Sequence, residues 1–88
     1  MTGEQTNDGE ATALRALGWL LSDEARAGRF LALTGLTPDT LRAAIGDRST
    51  LAATLRFLEA HEPDLVACAD ALDVTAPGLV EARRRLER

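Results

Sequence analysis

The groups most capable of chemistry cluster around the only histidine, His61, which Glu59, Glu62 and Asp64 flank. Carboxylates beside an imidazole are the raw material of a cation site or of general acid–base catalysis. Pro63 places a helix break inside this group, however, and no second nitrogen or sulfur donor exists to complete a transition-metal set. At the end of a helix, His61 is better suited to the negative pole of the helix dipole. Cys68, the single cysteine, falls on the stripe Leu65, Cys68, Ala69, Leu72 and reads as a small buried hydrophobe. No basic residue in its local sequence lowers its pKa. Ser22 and Ser49 stand at helix starts and read as capping or helix-start residues rather than nucleophiles, and the seven glycines are too scattered for a phosphate loop. The sequence therefore predicts no enzyme, no catalytic residues, no metal and no cofactor.

The elements that position these residues are written in start and stop signals, most densely between Phe30 and Asp47. Gly35 suits the left-handed position just past a helix, and Leu36 can fold back onto Leu31. Thr37 is an N-cap and Pro38 takes the first helical position, where its missing N–H costs nothing. Leu41, Ala44 and Ile45 supply the next apolar stripe, which Gly46 ends. Upstream, residues 1–8 read as a flexible acidic tail. Helix one covers Gly9 to Leu21, capped by Asp8, with Leu14, Leu17, Leu20 and Leu21 inward. Ser22 caps the second helix, and Asp47 the fourth, where Leu51, Leu55 and Leu58 recur at i, i+4, i+7. Pro63 starts a fifth helix, and a last one carries Leu79, Ala82 and Leu86. Gly35-Leu36-Thr37 echoes Asp73-Val74-Thr75, which reads as two similar helix corners. The expectation is an all-α, compact single domain of five or six short helices over residues 9–88.

Composition agrees. The 88 residues hold one small core, and their 45% apolar content is mostly alanine and leucine, which favours helix over strand. Net charge is −4, and every basic residue is an arginine. The acidic balance repels nucleic acid unless the arginines gather on one face. No apolar run approaches the ~20 residues that span a bilayer, and residues 1–10 lack the basic start and apolar stretch of a secretion signal. A cytoplasmic location, with no membrane and no small-molecule substrate, is the expectation.

Binding surfaces remain to be weighed. Trp19 lies nearly opposite the Leu14–Leu17–Leu21 face, and Phe57 lies off the Leu51–Leu55–Leu58 face next to His61. Either these helices bury two faces, or the aromatics are anchors for a partner. Ala25, Gly28 and Ala32 make a small-residue strip that admits another helix, within the chain or across a dimer. Arg83, Arg84 and Arg85 complement the dipole of the last helix, with Glu81 pairing to Arg85. Residues 35–44 also resemble the helix–turn–helix of TetR-type repressors, in which Gly35, Leu36, Thr37, Pro38 and Leu41 occupy the matching positions. The exposed positions of that helix would be Asp39, Thr40, Arg42 and Ala43, a poor set for phosphates and base edges.

Over Ala11 to Leu86 the sequence resembles a family of small bacterial proteins known as domain of unknown function 3572. The likeness rests on Ala16-Leu17-Gly18-Trp19-Leu20, Gly28-Arg29-Phe30-Leu31, Thr34-Gly35 with Leu41-Arg42-Ala43, and Gly46-Asp47 leading to Leu55 and Phe57-Leu58. It closes with Ala67-Cys68 and Ala82-Arg83. The resemblance implies an all-helical single domain and brings no assigned activity. The expected function is a non-enzymatic protein-interaction or adaptor module, acting on a protein partner or by self-association, with Trp19, Phe57 and His61 as candidate contacts. The alternative is a degenerate helix–turn–helix DNA-binding protein using Thr40 and Arg42.

Overall fold

Leucines and alanines at helical spacing draw six helices onto one interior in the computed structural model of the chain, which describes the backbone of residues 2–88 and the side chains of residues 9–88. The helices are α1 (Thr2–Leu21), α2 (Glu24–Thr34), α3 (Pro38–Ala43), α4 (Arg48–Glu59), α5 (Glu62–Leu72) and α6 (Ala76–Leu86). Helices α1, α4 and α6 pack most extensively on one another; α5 leans on all three, and α2 lies against α1 and α4. The radius of gyration is 12.2 Å, against about 12 Å for one folded domain of this length. Among the described residues there is no strand, and no helix is long and apolar enough to cross a membrane.

The interior is built where the periodicity placed it on α4 and α6. Leu51, Leu55 and Leu58 meet Leu79, Ala82 and Leu86, all buried. On α1 the buried stripe is Ala13, Ala16, Leu17 and Leu20, while the expected Leu14 and Leu21 remain 43% and 37% exposed. The small alanines win those inward positions because neighbouring helices press close to α1. Gly9 shows how close: a Cβ there would lie 3.1 Å from the Ala82 carbonyl oxygen on α6. Two buried threonines, Thr50 and Thr54, interrupt the apolar face of α4. The Thr54 hydroxyl donates to the Thr50 carbonyl at 3.0 Å, so its burial leaves no unpaired polar atom.

The corners follow the punctuation with several corrections. Gly35 sits at φ 76° and closes α2 by donating its N–H to the Leu31 carbonyl. Thr37 caps α3 in a reciprocal box with Thr40. The second corner repeats this geometry: Asp73 is left-handed at φ 58°, and Thr75 accepts from the Gly78 N–H. Leu36 and Val74, between the two signals, pack against the core. At α2, however, the cap is Asp23, which accepts from the Arg26 N–H, whereas the Ser22 hydroxyl donates back to the Trp19 carbonyl. Asp47 holds the N-cap position of α4 without a side-chain bond. Helix α3 ends at Ala43, which leaves Ile45 42% exposed beyond the stripe. Helix α1 starts at Thr2, so Asp8 falls inside it rather than at its cap. The segment over residues 1–8 expected as a tail is, from Thr2 on, helical backbone of α1, and its side chains lie outside the described residues.

Two substitutions separate the core from the surface. Leu55→Ala removes a side chain with no exposed area, and we expect a loss of about 3 kcal/mol and a melting temperature lower by roughly 15 °C. Gly28→Ala, on the outer face of α2 where an added Cβ meets nothing, should stabilise by about 1 kcal/mol. Thermal and denaturant unfolding followed by circular dichroism measures both.

Candidate functional site

Phe57 and His61 come together, while Trp19 lies elsewhere. Phe57 is on the last turn of α4, half-buried, with its ring edge-on to buried Phe30 of α2 at 5.4 Å between centroids and 81° between planes. That contact adds roughly 1 kcal/mol to the area both rings bury. The other side of Phe57 faces a hollow of about 390 Å³ lined by Arg29, Ala32, Leu33, Phe57, Ala60 and His61. Leu33, at its edge, is the most exposed large apolar residue of the described chain, at 76%. Phe57 is therefore neither a free anchor nor a core residue: it holds α4 to α2 through Phe30, has the Arg29 guanidinium 5.8 Å from its ring centroid, and lines the hollow with what remains.

His61 begins α5 rather than ending α4. Its extended backbone (φ −137°) makes it the N-cap residue, because Pro63 holds the first turn of α5. The imidazole Nδ1 lies 3.6 Å from Asp64, whose carboxylate also accepts from Arg29 at 3.2 Å. Glu59 has turned away to Arg83 on α6, so the carboxylates that surround His61 in sequence do not converge on it. Among the described residues, no three His, Cys, Asp or Glu side chains are grouped to hold a metal ion.

Trp19 is half-buried against the core between α1 and α2. The Arg26 guanidinium lies over its ring, 3.7 Å from the centroid, a stacking arrangement worth about 1 kcal/mol. On α3, the Thr40 hydroxyl is committed to the capping box, donating to the Thr37 carbonyl and accepting from the Thr37 N–H. Arg42 is tied to Asp39 on the same helix at 3.1 Å. The strip Ala25, Gly28, Ala32 is exposed along its length. At the end of α6, Arg83 bridges Glu59 and Glu87, and Arg56 joins Glu87 from α4. The bond to Glu59 is the main cause that raises the Arg83 pKa above the ordinary arginine value. The expected Glu81–Arg85 pair is present at 3.5 Å. Arg83 thus fastens α4 to α6, a role that its place in an arginine run gave no means of distinguishing from its neighbours.

Cys68 is fully buried. Burial pushes its thiol up to about 11, against a smaller opposite pull from Arg26 and Arg15, so the sulfur is an unreactive packing atom.

The described residues form a six-helix, all-α domain whose surface carries an apolar hollow. The chain belongs to the family described as protein of unknown function (DUF3572), whose model matches residues 6–88. No curated protein and no solved structure matches it.

The thiol generates a pH prediction. Cys68 binds its proton more tightly folded than unfolded, so its contribution is complete below the unfolded pKa near 9 and is lost as pH rises toward 11. Two pH units correspond to about 3 kcal/mol at most. Wild-type stability should decline over that window more steeply than that of Cys68→Ala, as measured by urea unfolding at pH 8, 9, 10 and 11.

Proposed function

We propose that this chain is a non-enzymatic protein-interaction module that receives an apolar side chain of a partner protein in the hollow between α2, α4 and α5. The observation that carries this reading is Leu33, 76% exposed at the edge of a hollow floored by Phe57, Ala32 and Ala60. Leaving a leucine and an aromatic face wet on one side of so small a domain has a cost that a docking partner removes. Arg29 is paired with Asp64 but keeps half of its side chain exposed at the rim, and its remaining donors favour a partner segment in which the apolar residue stands beside a carboxylate. His61 lines the same wall and supplies a second polar contact. On α3, Thr40 is engaged in the capping box, and exposed Arg42 stands beside the Asp39 carboxylate, which opposes a phosphate contact.

Leu33→Asp tests the reading because the side chain is outside the core, so folding should change by no more than about 0.5 kcal/mol. Affinity capture from nuclease-treated cells with wild-type and Leu33→Asp baits should show protein partners held by the first and reduced at least about tenfold with the second. Equal recovery by both baits overturns the hollow as the docking site. Binding to duplex DNA with a steep salt dependence would replace this reading with the DNA-binding one.

A further inference from the structure

Leu21, Leu33 and Ile45, three of the exposed large apolar side chains among the described residues, stand around α2. This helix turns only Phe30 fully inward, and it rises as a ridge between two apolar hollows. On one flank Arg29, Ala32 and Leu33 border the hollow of Phe57. On the other flank Ala27 and Leu31 border a second hollow of about 350 Å³, completed by Leu21, Leu41 and Ile45. The crest between them is small: Ala25, Gly28 and Ala32 are all exposed. A crest without bulk lets the backbone of a second helix come close.

The residues of the crest fall in a heptad register. Ala25 and Ala32 take the a positions, with Gly28 at d between them. Phe30 then takes f, the position that faces away from a partner, where a residue committed to its own core must stand. Glu24 takes g and Arg29 takes e. In a parallel pair, g of one helix meets e of the other five residues further on, so Glu24 meets Arg29 of the second copy. In an antiparallel pair e faces e and g faces g, which sets arginine on arginine and glutamate on glutamate. Charge therefore selects the parallel pair. Glu24 is exposed and has no ion-pair partner among the described residues, and Arg29 keeps half of its side chain exposed beside Asp64.

We propose that α2 pairs with α2 of a second copy of this chain, parallel about a two-fold axis, with the crests in contact and Glu24 of each copy paired with Arg29 of the other. This pairing rests on the reading of the Phe57 hollow as a docking site and names its occupant. A two-fold axis along the helices turns each flank of α2 toward the opposite flank of the second copy. The side of Phe57 and Leu33 in one copy thereby meets the side of Leu21 and Ile45 in the other. Leu21, three residues before Glu24, supplies the apolar residue beside a carboxylate that Arg29 favours. The size of the face sets its strength. The 11 residues of α2 run about 16 Å, and with its flanks the face covers roughly 400 Å² per copy, half of what a standard interface buries. The pair is therefore weak, with a Kd on the order of 50 μM.

Sedimentation equilibrium of the full chain from about 5 μM to about 1 mM should show a reversible monomer–dimer equilibrium with that Kd. Ala25→Asp places a carboxylate on the crest, outside both hollows and at a helix start where it suits the dipole. The fold is then kept while the Kd rises at least about tenfold. Glu24→Arg and Arg29→Glu each set like charges together at both contacts of the pair, and each should weaken self-association at least about tenfold. Mixed in equal amounts, these two variants regain opposite charges at both contacts, and the mixture should pair as tightly as wild type. Circular dichroism verifies the fold of each variant; where Arg29→Glu unfolds through the loss of its bond to Asp64, Ala25→Asp and Glu24→Arg decide the test. A chain that stays monomeric throughout, a dimer indifferent to Ala25→Asp, or folded charge variants that fail to rescue each other overturns the proposal. A monomeric chain whose capture of another protein is still lost with Leu33→Asp overturns the pairing and keeps the hollow as a docking site, so the two readings fail separately.

Discussion

Close approach of α1 to α4 and α6 is the constraint on which the rest of the molecule depends. A domain of this size can form only a small core, so it gains most by bringing three helix backbones near one another. Ala13, Ala16 and Ala82, all buried, make that approach possible, and Gly9 sits opposite the Ala82 carbonyl where a side chain would press at 3.1 Å. Leu17, Leu20, Leu55, Leu58 and Leu79 then fill the remaining interior with essentially no exposed area. Because those interiors are packed at crystalline density, the outer helices are placed by what is left. Helix α2 presses Phe30 inward, and α5 contributes Cys68 and Ala69. Helix α3 buries only Leu41 and has no extensive contact with another helix among the described residues.

Electrostatics acts at the edges of this arrangement. Arg83 and Arg56 share Glu87, and Arg83 also takes Glu59, which joins the ends of α4 and α6. Arg48 reaches from α4 to Glu10 on α1 and to the Arg85 carbonyl on α6. Pairs at the surface contribute little each, so these networks set which helix ends meet rather than supply the bulk of stability. Against that background, the guanidinium of Arg26, stacked on an indole with its buried Nε unpartnered, is an exception. Leu33, 76% exposed, is the corresponding exception among apolar groups.

Local chemistry was legible wherever a residue's role depends on its immediate neighbours. Gly35, Thr37 and Pro38 fix their corner by backbone rules that act over a few residues, and the Asp73–Thr75 corner repeats them. The exceptions are instructive. Ser22 and Asp23 are both good caps, and the choice of Asp23 is a competition between adjacent residues that composition cannot decide. Helix dipoles favour His61 at the end of α4, yet the Pro63 turn claims it for the start of α5.

What the sequence determined by itself is the helical class, the corners at Gly35–Pro38 and Asp73–Thr75, and the inward leucines of α4 and α6, since each follows from periodicity or from bonds between near neighbours. Only the tertiary structure decided which second faces are covered. It chose alanines over Leu14 and Leu21 on α1, set Phe57 between Phe30 and Arg29, set Arg26 on Trp19, and sent Glu59 to Arg83 instead of His61. Those outcomes depend on how near two helices come, and that distance is set by side chains far apart in the chain.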